Sequence, residues 1–258
     1  MQLVPEMLSL FDVLLLVGTS FFTSFLTAAM GIGGGVALLA VMAQIMPALA
    51  IVPVHGVVQF GSNVGRAGLM LRDIDKKLLT YFVGGSIVGA LVGGQIVVSL
   101  PVGYLQLILA VFILYATWGP KPTGTVPSTK ALAAGGAFST LLTMFVGATG
   151  PFVAAILRPF ELGKLGQVAT MSACMVVQHL MKAVVFGLLG FSFAPYVPLM
   201  ALMIALGFLG TVAGRHMLMR ISETHFKYGL NILLTALALR LLWVAGMHLL
   251  GDLPILAE

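Results

Sequence analysis

Five polar side chains recur at helical spacing within an otherwise apolar stretch. They follow the spacing i, i+4, i+7, i+8 and i+11, and they are His55, Gln59, Ser62, Asn63 and Arg66. In a helix over 51–71, this spacing places all five on one face. The face holds a permanent cation and an imidazole but no carboxylate. Arginine, imidazole and amide groups in a buried setting favour an anion, so these residues are candidate ligands of one.

A second polar face follows in the helix predicted over 164–189. A shift of 116 residues pairs it with the first face, and the pairs are Ser62 with Gln178, Asn63 with His179, and Arg66 with Lys182. Gln178, His179 and Lys182 are therefore also candidate ligands. Two alternatives stay open: the cations could reach lipid headgroups, and the histidines and amides could form hydrogen bonds between helices.

Glycines interrupt an apolar stretch that is too long for one membrane-spanning helix. Residues 11–46 number 36, and a continuous helix of that length would measure about 54 Å, whereas the hydrocarbon core is only ~30 Å thick. The interruption is the sequence Gly-Ile-Gly-Gly-Gly over 31–35. A helix that begins there offers free N–H groups and the positive end of its dipole, which bind anions. The candidate ligands at this break are Gly33, Gly34 and Gly35.

The shift of 116 residues finds a second break at Gly-Ala-Thr-Gly-Pro over 147–151, with Thr149 and Gly150 as candidate ligands. Glycine clusters can also serve only close helix packing. Breaks at matching places in both halves favour a binding site instead, since paired broken segments are typical of transporter sites. Two series with four-residue spacing and no break predict packing faces: Gly85, Gly89 and Gly93, and Gly210 and Gly214.

The whole chain has the composition of a membrane protein. It is 60% hydrophobic and 8% charged, with a mean hydropathy of +1.11, whereas a soluble domain is roughly 25% charged. Ten apolar elements are predicted in two sets, at 10–30, 32–46, 51–71, 77–99 and 102–118, then at 131–147, 151–158, 164–189, 195–218 and 226–249. The second and seventh are short, so each either spans or forms one leg of a re-entrant hairpin. Apart from Asp12 near one end, no acidic residue lies within an element, which argues against a cation site.

The loop charges of the two sets are opposed. The loop over 72–77 is basic, whereas its equivalent over 189–195 has no charge. The loops over 47–50 and 99–103 carry no charge, whereas basic residues flank the equivalent loops of the second set. Under the positive-inside rule, equivalent loops then lie on opposite sides of the membrane. The predicted fold is an all-α polytopic membrane protein of two inverted repeats with glycine-broken or re-entrant segments. The repeats cover 1–118 and 131–258, and the proline-rich linker covers 119–130.

Three segments of the first half resemble the TauE/SafE family of membrane transporters, also called the sulfite exporter family. They are Gly-Ile-Gly-Gly-Gly over 31–35, Val-His-Gly-Val-Val-Gln-Phe-Gly-Ser-Asn-Val-Gly-Arg over 54–66, and Leu-Arg-Asp-Ile-Asp over 71–75. The resemblance implies a multi-pass protein of the bacterial inner membrane. It also implies movement of sulfite, an organosulfonate such as sulfoacetate, or a related oxyanion, often as export.

The functional expectation is a secondary transporter that moves a small anion by alternating access, with a histidine as a candidate carrier of a coupling proton. The alternatives are an anion channel and, less favoured, an intramembrane enzyme that uses His55 and His179, for which the sequence holds no His-Glu-x-x-His motif. No catalytic residue, metal site or cofactor is predicted, and the single cysteine, Cys174, excludes a multi-cysteine metal site. The expected partners are a small anionic substrate and the lipid bilayer, with no nucleic acid; a homodimer stays open.

Overall fold

The computed structural model describes residues 8–30, 33–97, 102–119, 128–217 and 223–251, which form ten α-helices and no strand. The first set is α1 (Leu10–Met30), α2 (Gly34–Ile45), α3 (Ala48–Leu69), α4 (Lys76–Val97) and α5 (Val102–Trp118). The second set is α6 (Thr129–Val146), α7 (Gly150–Leu157), α8 (Gly163–Leu188), α9 (Val197–Met217) and α10 (Glu223–Gly251). Helices α1, α3, α4, α6, α8 and α9 are long and apolar enough to cross a membrane. The fold is that of an all-α, multi-pass membrane protein, as the composition predicts.

Most helix starts differ from the sequence prediction by one to three residues, and two of these differences have a clear local context. Helix α6 begins at Thr129, inside the predicted linker, because the Ser128 hydroxyl accepts a hydrogen bond from the Ala131 N–H at 3.3 Å and caps the helix. Helix α3 begins at Ala48 rather than at residue 51, and it includes Pro53. A proline there removes one hydrogen bond near the helix start without ending the helix. The rest of the predicted linker, 120–127, lies outside the described residues.

The two short helices follow the glycine breaks. Helix α2 has 12 residues and α7 has 8, so their lengths are about 18 Å and 12 Å at 1.5 Å per residue. Both are shorter than the ~30 Å hydrocarbon core. By length, neither crosses the membrane alone, and each follows a longer helix after a break.

The long helices pair across the two sets: α1 packs against α9, α4 against α6, α3 against α8, and α5 against α10. The predicted glycine packing faces are confirmed at these contacts. A Cβ atom at Gly89 would overlap the carbonyl of Ala137 on α6, and one at Gly210 would overlap the carbonyl of Phe21 on α1. Gly210 lies 121 residues after Gly89, and Ala137 lies 116 residues after Phe21. The two contacts therefore join residues that the predicted repeat pairs with each other.

The described part of the chain has three apolar clusters, and two of them contain buried residues of α3 or α8. The larger one packs residues of α2 and α3 against α1, α5, α9 and α10, and the second one joins α4, α6, α7 and α8. Helices α3 and α8, one from each cluster, contact each other directly. This contact brings the two polar faces predicted from the sequence together inside the protein.

Candidate functional site

A small cavity of about 30 Å³ lies where both helix breaks approach α3 and α8. That volume has room for a water molecule or a compact ionic group. Its walls come from α1, α2, α3, α7 and α8 and from both breaks. Eight of the predicted ligands line it: Gly33, Gly35, His55, Gln59, Asn63, Arg66, Gly150 and His179.

Glycines with positive φ angles form the two breaks. Gly33 (φ 101°) precedes α2, and Gly147 (φ 76°) follows α6. L-residues with a side chain rarely adopt this region, so glycine is the residue that fits. The Ala37 N–H donates to the Gly33 carbonyl at 3.1 Å and closes the first turn of α2. The N–H groups of the three residues before it have no acceptor within the helix. Since Gly35 and Val36 line the cavity, the positive end of α2 borders it.

Arg66 brings a positive charge to the cavity. Its side chain is only 3% exposed, and its Nη1 and Nη2 donate to Asn63 Oδ1 at 3.0 Å and to Ser62 Oγ at 3.4 Å. Asn63 is itself oriented, because its Nδ2 donates to the Gln59 backbone carbonyl at 2.8 Å. The Nε of Arg66 is buried without a partner, and no carboxylate among the described residues pairs with this guanidinium.

The two histidines meet across the contact between α3 and α8. Their ring centroids are 6.0 Å apart with the planes at 77°, and both side chains are almost fully buried. His55 Nε2 contacts the Gly35 carbonyl at 3.0 Å. A carbonyl can only accept, so this contact assigns the proton to Nε2. Within the described part of the chain, Nδ1 of His179 is buried without a hydrogen-bond partner, whereas Nδ1 of His55 is buried beside the backbone of Gly147.

Two predicted ligands of the first half do not line the cavity. Ser62 is engaged by Arg66 and by the hydroxyl of Ser24 on α1, which lies 3.2 Å away. Gly34 packs against α1, where a Cβ atom would overlap the carbonyl of Thr23. Ser62 therefore accepts a hydrogen bond from the guanidinium without lining the cavity. Gly34 has no side chain, which lets α2 approach α1 closely.

Three predicted ligands of the second half also bond to the protein rather than lining the cavity. The Thr149 hydroxyl donates to Gln178 Oε1 at 2.6 Å. Gln178 Nε2 donates to Ser139 Oγ at 3.0 Å. Lys182 Nζ donates to the Gly147 carbonyl at 2.8 Å, at the end of α6.

Six further residues that the sequence analysis did not select as ligands complete the lining: Thr27, Val36, Ala148, Pro151, Met171 and Met175. The hydroxyl groups of α1 and α6 also belong to this region, although they were not predicted from the sequence. The same shift of 116 residues would have found them, since it pairs Thr23 with Ser139, Ser24 with Thr140, and Thr27 with Thr143. Ser24 contacts Ser62. Its equivalent, Thr140, accepts a hydrogen bond from Gln178, the equivalent of Ser62, at 3.3 Å.

Several of the helices are able to cross a bilayer, and a cavity lined by buried polar side chains lies at two helix breaks. These are features of a multi-pass membrane transporter. The family model described as sulfite exporter TauE/SafE matches residues 16–241. The chain belongs to this family. No curated protein and no solved structure matches it.

Proposed function

We propose that this protein is a secondary transporter of a small oxyanion and that Arg66 binds the negative charge of its substrate. The main support for this proposal is the buried guanidinium of Arg66. It lines the cavity and has no carboxylate partner among the described residues. Burying an unpaired charge is costly, and proteins compensate it with an opposite charge. An anion in the cavity supplies that charge. The N-terminal end of α2 adds free N–H donors beside it.

The substrate class we propose is sulfite, an organosulfonate such as sulfoacetate, or a related oxyanion. Several oxygen atoms on one compact group match the fork of guanidinium donors and the backbone N–H groups together. The small cavity volume supports a compact head group. The family supports export as the direction of transport.

We further propose that the chain is built from two inverted repeats and that transport proceeds by alternating access. The equivalent contacts of Gly89 with α6 and Gly210 with α1 support a repeated unit. Because α1 packs on α9 and α4 on α6, each moving body combines helices of both sets. Substrate would bind where the two breaks and the α3–α8 contact converge, as in transporters built from discontinuous helices.

The test is flux into proteoliposomes that contain the purified protein. We expect saturable uptake of labelled sulfite or sulfoacetate, measured with and without an imposed pH gradient and compared with sulfate. A lack of flux for every oxyanion would contradict the proposal. Unitary currents in planar bilayers would favour the channel alternative, because a carrier turns over too slowly to give them.

Replacing Asn63 by aspartate should weaken substrate binding while the fold is kept. The substituted side chain has nearly the same shape, but it would place a carboxylate 3.0 Å from Arg66 Nη1. A charged acceptor bonds about twice as strongly as a neutral one, so the site carries its own competing anion. We expect the KM for the oxyanion to rise by about tenfold, or ~1.4 kcal/mol.

Two comparisons isolate the added charge in this experiment. Asn63→Ala removes the acceptor without adding a charge and should raise the KM less than Asn63→Asp does. Asn231→Asp adds a carboxylate on α10, away from the cavity lining, and should leave the KM unchanged. An Asn63→Asp protein with the wild-type KM would show that Arg66 does not bind the anion.

We propose that proton coupling of transport requires the cavity histidines. Imidazole can bind and release a proton, and the unpartnered Nδ1 of His179 leaves that ring room for one more proton. We expect the double variant His55→Gln, His179→Gln to lose stimulation of flux by a pH gradient. His248→Gln, at a histidine that bonds Gln106 instead, is the matched control. Unchanged flux and unchanged pH dependence in the double variant would remove the histidines from the coupling.

A further inference from the structure

Arg66 and Lys182 occupy equivalent sequence positions, but their side chains make different contacts. Arg66 lines the cavity, whereas Lys182 does not. The Lys182 side chain is fully buried, and its Nζ donates to the Gly147 carbonyl at 2.8 Å and to Thr143 Oγ1 at 3.5 Å. Both acceptors belong to the end of α6. Lys182 therefore binds the end of a helix, where free carbonyls and the negative end of the dipole favour an amino group.

Gln178 holds the other end of the same break. One turn before Lys182 on α8, it accepts the hydroxyl hydrogen of Thr149 at 2.6 Å. Its Nε2 donates to Ser139 at 3.0 Å, so the amide is fixed in one orientation by α6. Gly147 and Thr149 are thus each tied to α8, and Ala148 between them lines the cavity.

The packing on α3 leaves a path for the lysine. A Cβ atom at Gly56 would lie 2.6 Å from Lys182 Cε, closer than real Cβ contacts come. Gly56 lies next to His55, whose side chain lines the cavity. The absence of a side chain at residue 56 therefore lets the lysine stem pass between α3 and α8 to reach the end of α6.

We propose that the two equivalent cations have different tasks: Arg66 binds the anion, while Lys182 and Gln178 position the break between α6 and α7. This inference rests on the proposed anion site, because the break forms one wall of it through Ala148, Gly150 and Pro151. Lys182 is then a positioning residue that acts through the Gly147 carbonyl. It differs from the sequence-based expectation that Thr149, Gln178 and Lys182 contact substrate.

The test combines transport with the accessibility of the break. Ala148→Cys is introduced into a Cys174→Ala protein, so that one thiol reports on the cavity wall, and its labelling by a small methanethiosulfonate is timed in proteoliposomes. When Lys182→Met is added, we expect labelling to accelerate about fivefold or more, because the tether to Gly147 is lost, while the KM rises by less than about tenfold. Arg66→Met should instead abolish saturable flux and leave the labelling rate unchanged.

Lys130→Met is the matched control, since Lys130 is exposed at the start of α6 and away from the cavity. It should change neither readout. Gly56→Ala is a second, independent disturbance: it should displace the lysine and accelerate labelling in the same direction. If Lys182→Met abolishes flux as Arg66→Met does while labelling stays at the wild-type rate, Lys182 is a ligand and the inference is wrong.

Unchanged labelling in both Lys182→Met and Gly56→Ala would also overturn the inference. These results are separable from failure of the proposed function. If the parent protein transports no oxyanion, the anion site is refuted, yet the labelling rates still report whether Lys182 holds the break. If one of these variants aggregates in size-exclusion chromatography, Thr149→Val is tested in its place. This substitution removes only the hydrogen bond to Gln178, and it should also accelerate labelling.

Discussion

Arg66→Met should abolish saturable oxyanion transport by the purified protein. Methionine keeps much of the length and apolar volume of the arginine side chain but removes its charge and its five N–H donors. Removing one partner of a buried charge pair costs about 2–5 kcal/mol, which corresponds to a loss in affinity of about 30-fold to more than 1,000-fold. We therefore expect an apparent Kd or KM raised by about 100-fold or more, beyond the measurable range for a weak substrate.

The expected loss follows from what surrounds the guanidinium. Its contacts, Asn63 and Ser62, are neutral and lie on its own helix. Substrate would supply the compensating charge, so the protein without Arg66 has little to attract it. The empty protein should tolerate the change, because a buried charge without a counter-ion is itself unfavourable. Equal or higher thermal stability together with lost binding is the expected combination.

Two variants control this experiment. Arg72→Met removes a guanidinium that is exposed between α3 and α4, and it should leave flux unchanged. Arg66→Lys keeps a cation but loses the planar fork, so it should retain weak transport. Flux in reconstituted vesicles and equilibrium binding in detergent are the two measurements. Wild-type binding in the Arg66→Met protein would exclude this residue as the anion ligand and leave the proposal without its main support.

The sequence predicts the helices and the breaks well because both leave strong local signals. Apolar runs of sufficient length specify α1, α3, α4, α6, α8 and α9. The glycine clusters mark positions where the chain has to leave the helical conformation, and Gly33 and Gly147 do have positive φ angles. Polar spacing along α3 likewise predicts which side chains share a face, since a helix fixes that geometry.

The contacts of individual polar side chains could not be predicted in the same way. Arg66 and Lys182 are equivalent in sequence, but only the packed structure shows that Lys182 reaches the Gly147 carbonyl. That outcome depends on Gly56 in another helix, which provides the space. The hydroxyl groups of α1 gave no signal alone, because serine and threonine often satisfy their own helix backbone, as Thr27 does with the carbonyl of Thr23.

The pairing of helices is likewise a property of the whole chain rather than of any segment. The glycine spacing predicts a packing face on α4 but does not say that its partner is α6. In the structure, α6 is the partner because its surface fits closely against the glycines of α4. Gly85 and Gly89 contact the backbone carbonyls of Ala133 and Ala137. Neither alanine has a side chain large enough to keep the helices apart. Such close approach is a main source of attraction between helices in lipid, where apolar burial contributes little.

This close approach makes Gly85→Ala the substitution with the largest expected effect on stability. A Cβ atom at Gly85 would overlap the Ala133 carbonyl oxygen and would lie 2.7 Å from its carbon and 2.9 Å from the Ala137 nitrogen. These are backbone atoms, which cannot rotate away, so α4 and α6 must separate. Overpacking of this kind costs about 1–3 kcal/mol, and we expect the upper end. At about 2–4 °C per kcal/mol, the Tm in detergent should fall by roughly 6–12 °C.

The neighbouring residue provides the control, since Gly84 lies on the same helix but has nothing within 4 Å of its Cβ position. Alanine is a better helix former than glycine by about 0.5–1 kcal/mol, so Gly84→Ala should leave the Tm unchanged or raise it slightly. The same propensity gain applies at residue 85, and only the contact with α6 reverses its sign. If both variants melt at the wild-type temperature, α4 and α6 are not in backbone contact. A Tm lowered equally by both would point to a need for glycine in α4 itself, such as a bend, rather than to its contact with α6.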